Sequence, residues 1–114
     1  GNSLEGLNVK DKGLSFGENS NGEIININFQ NAKLGVAVKD GSKLKLSKYG
    51  FTNNEYDVAV FNKKKEYEGA SLFINESNEN YKLNYLIGIN NEIVKDDTVL
   101  TKKIKNKLIN KLFY

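Results

Sequence analysis

Over the first four fifths of the chain, separate runs in which apolar residues recur at every second position constrain the fold more than any other feature. Tyr81, Leu83, Tyr85, Ile87 and Ile89 form the cleanest run. A period of two puts successive side chains on opposite faces of an extended strand, so one face is apolar and the other polar. The chain has no proline to break a ladder of backbone hydrogen bonds.

Turn signals between the alternating runs suggest hairpins. Asn21-Gly22 tolerates the two positive φ angles of a type I′ turn. Closing a two-residue loop there sets Phe16 against Ile27 and Leu14 against Phe29, with all four on one face. A three-residue loop at Lys39-Asp40-Gly41, with Gly41 left-handed, pairs Val36 with Leu44 and Leu34 with Leu46. Tyr56, Val58 and Val60 lead to a basic tip at Lys63-Lys64-Lys65 and back through Glu66 to Ile74. Pairing Ile74 with Tyr81 also aligns Leu72 with Leu83 and Ala70 with Tyr85.

After Asn90-Asn91 the period lengthens to about 3.6. Leu100, Ile104, Leu108 and Leu112 stand four apart, with Val99, Ile109 and Phe113 beside them. This predicts an amphipathic helix over 96–113, capped by Asp96 or Asp97, with Lys103, Lys105, Lys107 and Lys111 facing water. Its apolar stripe needs a partner, because an isolated helix of this length is marginal in water. The expected fold is therefore α+β: an antiparallel sheet of six to seven strands arranged as hairpins or a meander, with the C-terminal helix packed on one face.

The chain's 114 residues suffice for one core without disulfides. They divide into a lead over 1–12, where Leu4, Leu7 and Val9 suit a short helix, an edge strand or a frayed end, and a domain over 13–114. The strands are expected at about 13–18, 23–30, 33–39, 42–49, 56–62, 66–74 and 81–89. No internal repeat, low-complexity tract or linker stands out.

Composition narrows the chemistry. The chain contains no histidine, cysteine, arginine, tryptophan or methionine. It therefore lacks a side chain with an unperturbed pKa near 7, a thiol nucleophile and thiolate ligands, and the planar fork that binds phosphate in two places. The net charge of +3 comes from lysine alone. Lysine in place of arginine, with abundant Asn and Ile, fits the codon usage of an AT-rich genome, so basicity says little about function.

Each candidate site has a plainer explanation. Glu66 and Glu68 share a strand face and Glu76 and Glu79 share a loop, but the first pair lies beside lysines and neither marks a glycosidase. The oxygen-rich loop 75–80 lacks calcium-loop spacing. Asn75-Glu76-Ser77 is a formal glycosylation triplet. The serines have no histidine partner, and the glycines spell no phosphate loop. Expected catalytic, metal and cofactor residues are accordingly none. What remains is a set of amphipathic aromatics, Tyr49, Phe51, Tyr56, Tyr67, Tyr81 and Tyr85, with Lys63, Lys64 and Lys65, as a possible binding surface.

Gly1-Asn2-Ser3 resembles the residues that follow the modified cysteine of bacterial lipoproteins, which implies export and a surface anchor. A trimmed cytoplasmic domain is the alternative. The functional expectation is a small non-catalytic interaction module, exported or associated with the cell envelope, that contacts another protein or an envelope component. The alternatives are a small hydrolase or lyase using Asp, Glu, Tyr and Lys, or a peripheral binder of anionic membranes through the basic C-terminal helix. Nucleic acid is not an expected partner, and no apolar run is long enough to span a bilayer. Oligomeric state is not legible.

Overall fold

The computed structural model describes residues 2–6, 12–75 and 81–114. Among the described residues ten strands and one helix follow in order: β1 (Asn2–Gly6), β2 (Lys12–Phe16), β3 (Asn21–Gln30), β4 (Leu34–Lys39), β5 (Lys43–Thr52), β6 (Tyr56–Phe61), β7 (Ser71–Asn75), β8 (Tyr85–Ile87), β9 (Glu92–Lys95), β10 (Thr98–Val99) and α1 (Asn106–Phe113). Apart from β9 and β10, consecutive strands do not pair as hairpins. The chain alternates between two sheets, β1-β3-β5-β7-β9-β10 and β2-β4-β6-β8. Every pairing is parallel except the closing β9–β10 pair. The molecule is a short two-sheeted β-solenoid.

Register shows the repeat. Asn21 pairs with Lys43 and Leu34 with Tyr56, each 22 positions later. One coil therefore takes 22 residues, and like residues stack on like: Val36 on Val58, Ala37 on Ala59, Val38 on Val60, and Phe29 on Phe51. Between the sheets lie Ile24, Ile27, Leu44, Leu46, Leu72, Ile74 and Ile93 from one side, and Val36, Val38, Val58, Val60 and Ile87 from the other. Each fully buried aliphatic side chain of this kind contributes roughly 1.5–3 kcal/mol.

The two sheets differ in what covers them. β3, β5 and β7 alternate buried and exposed residues, so their outer face meets water. In β4 and β6 nearly every residue is buried. Their outward Ala37, Ala59 and Phe61 pack beneath Ile109 and Phe113 of the terminal helix. A continuous apolar run such as Val36-Ala37-Val38 marks a parallel strand covered on both faces.

Left-handed residues shape the coil, and they too recur at the coil period. Asn26 (φ 65°) and Lys48 (φ 57°) kink β3 and β5, Asn31 (φ 58°) and Asn53 (φ 55°) turn the chain after each, and Asn19 (φ 61°) matches Gly41 (φ 74°). Asn and Gly bear this conformation most cheaply. The kink at Asn26 also moves the inward set by one position, so that Ile24, Ile27 and Phe29 all face the core.

The antiparallel α+β expectation is thus overturned. Asn21-Gly22 begins β3 and is not a turn; the chain instead bends with Glu18 and Asn19 left-handed. Gly41 is left-handed as expected, but it carries the chain across to the opposite sheet. Ile74 sits beside Leu46 and Lys95, and of the long strand expected at 81–89 only Tyr85–Ile87 is extended in a ladder. An internal repeat does exist. In the lead, Asn2–Gly6 pairs in parallel with β3.

The helix is also shorter than expected. Asp96 and Asp97, with φ of 46° and 65°, form the β9–β10 turn and do not cap a helix. Leu100 donates its N–H to the Ile93 carbonyl, and Ile104 to that of Ile87. Residues 98–104 thus satisfy sheet edges, and that demand outweighs their helical spacing. The buried stripe of α1 is Ile109 and Phe113, whereas Leu108 and Leu112 are 48% and 39% exposed.

Lys48 is the exposed non-asparagine at a position whose equivalent is Asn26, and a left-handed lysine costs about 1 kcal/mol. Lys48→Asn should raise unfolding stability by about 0.5–1 kcal/mol in a denaturant titration; a loss of stability would contradict this account of the kink.

Candidate functional site

A parallel coil leaves backbone N–H groups stranded at its corners, and here a polar side chain of the next coil receives them. Ser42 Oγ accepts from the N–H of Ser20 at 3.1 Å, Asn54 Oδ1 from Ala32 at 2.8 Å, and Asn91 Oδ1 from Ala70 at 2.7 Å. In each pair the acceptor sits one coil beyond the donor. Asp57, 1% exposed, receives the Tyr81 hydroxyl at 2.7 Å and the Asn84 N–H at 2.9 Å on Oδ2, and the Asn54 amide at 3.2 Å on Oδ1. These buried polar residues hold the corners and do not converge on a reacting centre.

The repeat breaks at one corner. Lys43 pairs with Ser71, 28 positions later, so the passage from β6 to β7 carries six residues more than one coil needs. Asp40, 2% exposed, anchors this insertion by accepting the N–H groups of Lys63 and Lys64 on Oδ1 at 2.8 and 2.9 Å. Asn62 Nδ2 donates to the carbonyls of Tyr67 and Glu68, both at 3.0 Å. Lys64 forms an ion pair with Glu18, which holds that carboxyl below the usual carboxylate range and raises the ammonium in turn.

The start of the terminal helix is pinned to the same corner. Asn106 Oδ1 accepts the N–H of Asn62 at 2.9 Å and the Asn91 amide at 3.2 Å, and Asn106 Nδ2 donates to the Ile89 carbonyl. Asn110 Nδ2 donates to the Asn62 carbonyl at 2.9 Å. Insertion and helix thus form the walls of a cleft of about 660 Å³, lined by Lys63, Lys65, Tyr67, Glu68, Asn110 and Lys107 among others. Its floor is tight: a side chain at Gly69 would run into the Asn90 carbonyl.

The structure distributes the residues of the anticipated binding surface over several places. Tyr49 and Tyr85 pack against the inter-sheet core, and Phe51 is buried in it. Tyr49 meets Phe51 at 5.1 Å and Tyr81 at 6.0 Å between ring centres. Tyr56 packs edge-on against Phe113 in the helix layer. Lys63, Lys65 and Tyr67 line the cleft together. The Lys63 ammonium lies 4.0 Å above the Tyr114 ring, and Lys64 faces Glu18. Glu66 is exposed; Asn75, which opens the glycosylation triplet, ends β7, whereas Glu76 and Glu79, with the rest of 76–80, lie outside the described residues.

Asn62, Asn91, Asn106, Asn110 and Asp40 are the site-building residues that sequence reasoning missed. Their signal was the displacement of the insertion from the 22-residue period. Among the described residues, no group of three or more acids gathers as a metal site would require, and no helix is long and apolar enough to cross a membrane. Comparison of the chain with protein-family models, with curated proteins and with solved structures finds no match.

Burial, and then the hydrogen bond to Asp57, push the Tyr81 hydroxyl well above its ordinary value of 10.0. The folded state holds this proton more tightly, so the stabilisation is complete below that ordinary value and is lost as pH rises towards the folded one. Tyrosinate absorbance should show an ionisation step displaced well above the ordinary tyrosine range, and Tyr81→Phe should remove that step. Asp57→Ala, which strands three donors, should cost about 3 kcal/mol in denaturant unfolding; a cost under about 1 kcal/mol would contradict its anchoring role.

Proposed function

We propose that the chain is a non-catalytic binding module, exported or held at the cell envelope, and that the insertion cleft is where it contacts its ligand. The observation that carries this reading is the break in the repeat. A solenoid coil gains nothing in core burial from six additional residues, and insertions in repeat architectures collect on the face used for binding. The cleft volume of about 660 Å³ lies within the span of about 300–1,000 Å³ usual for small-molecule sites. Its walls are fixed by asparagine hydrogen bonds, so a ligand meets a formed surface.

Catalysis has little support in this cleft, because among the described residues Glu68 is the one acid in its lining, with no second carboxylate across from it. A hydrolase working through paired acids needs two. Peripheral contact with anionic membrane is the second reading. It is favoured by exposed Leu108 and Leu112, which stand beside exposed Lys105, Lys107 and Lys111 on α1 and its approach.

Amide shift perturbation of isotope-labelled protein, screened with a library of oligosaccharides and small metabolites, tests the first reading. Binders should move the amides of 62–69 and 106–110 and should be recovered unchanged after long incubation. Conversion of a binder, or perturbations confined to the outer face of β3, β5 and β7, would overturn it. Binding to anionic vesicles that is lost in Leu108→Ser/Leu112→Ser would favour the second.

A further inference from the structure

The cleft has a definite chemical character. The amide groups of Asn62, Asn106 and Asn110 that could greet a ligand already donate to backbone carbonyls of the fold. The Lys63 ammonium rests over the Tyr114 ring. Among the described residues, the ammonium groups of Lys65 and Lys107 have neither an ion-pair nor a hydrogen-bond partner, and both line the cleft, one from the insertion and one from the helix. Two free cations on opposite walls call for a negatively charged ligand. With those three amides taken up by the fold, the two free lysines give the cleft its charge.

Two further residues narrow the class. Tyr67 is half-buried in the lining, and an aromatic ring there suits the C–H face of a sugar ring. Glu68 is exposed in the same lining and carries acceptor oxygens and a negative charge. It suits a ligand with several hydroxyl donors, and it repels a doubly charged phosphate more than a singly charged carboxylate. Lysine, a compact point charge, binds a carboxylate without the paired geometry that arginine would impose.

We infer that the cleft binds an acidic saccharide: a pyranose ring carrying one carboxylate, held by Lys65 and Lys107, stacked on Tyr67 and hydrogen-bonded through its hydroxyls to Glu68. The inference rests on the reading of the cleft as the binding site and adds its ligand class.

Titration calorimetry with a galacturonic acid trisaccharide, the neutral galactose trisaccharide, galactose 6-phosphate and inorganic phosphate tests it, with amide shifts recorded alongside. The acidic trisaccharide should bind at least tenfold more tightly than the neutral one and move the amides of 65–69 and 107. Its affinity should fall at least tenfold in Lys65→Gln/Lys107→Gln and in Tyr67→Ala, with melting temperatures unchanged for the exposed lysine pair. Equal affinity for the neutral sugar, with shifts in the cleft, would overturn the charged class but leave the cleft as a binding site. Tighter binding of galactose 6-phosphate or inorganic phosphate would replace the uronate with a phosphate ligand. Affinity unmoved by the lysine pair, shifts elsewhere, or no binding by any of the four probes would overturn the inference.

Discussion

Parallel stacking of one coil on the next is the constraint on which the rest of the structure depends. From β1 to β9 each strand finds a hydrogen-bond partner one coil away and not in its sequence neighbour, so every position must tolerate its equivalent directly above. Val36 on Val58, Ala37 on Ala59 and Leu44 on Leu72 satisfy that condition in the interior. The corners must satisfy it with polar groups, because a buried N–H without an acceptor costs about 1–3 kcal/mol. Ser42, Asn54 and Asn91 meet that need, which explains why polar residues occupy positions the core would otherwise close over.

The same constraint explains where the chain is free to vary. Interior positions of a coil are bound by their neighbours above and below, whereas a loop that leaves the coil is not. The insertion after β6 uses that freedom and is then tied down by Asp40 beneath it and by Asn106 and Asn110 of the helix beside it. The terminal segment serves two purposes. Residues 98–104 pair with the last strands of both sheets, and the helix covers the apolar outer face of β4 and β6 with Ile109 and Phe113. The sheet of β3, β5 and β7 needs no such cover, since its outward residues alternate to polar.

The extended character of the chain could be read from its alternation, but its direction of pairing could not. A period of two looks the same from either end of a strand, so Phe16 against Ile27 satisfies the hydrophobic pattern as well as the parallel ladder does. Two features break that symmetry: the runs Val36-Ala37-Val38 and Val58-Ala59-Val60, apolar on both faces, and the recurrence of left-handed Asn at one interval, Asn31 and Asn53. Asparagine abundance reads as codon bias in composition, yet in the fold it supplies backbone conformation and corner hydrogen bonds. At the C-terminus, spacing of four among Leu100, Ile104, Leu108 and Leu112 carries the helical signal, but open sheet edges claim the first two. Lys65 and Tyr67 were legible as a basic, aromatic segment, whereas Lys107 joins them only through the fold.

Backbone amide contacts in perdeuterated, isotope-labelled protein test the coil most directly, because parallel stacking and hairpin pairing bring different amides together. The account predicts cross-peaks between strands one coil apart, linking Ile24 with the neighbourhood of Leu46 and Ala37 with that of Ala59. Cross-peaks joining Val36 to Leu44 and Leu34 to Leu46 in an antiparallel ladder, with none at the coil interval, would contradict it.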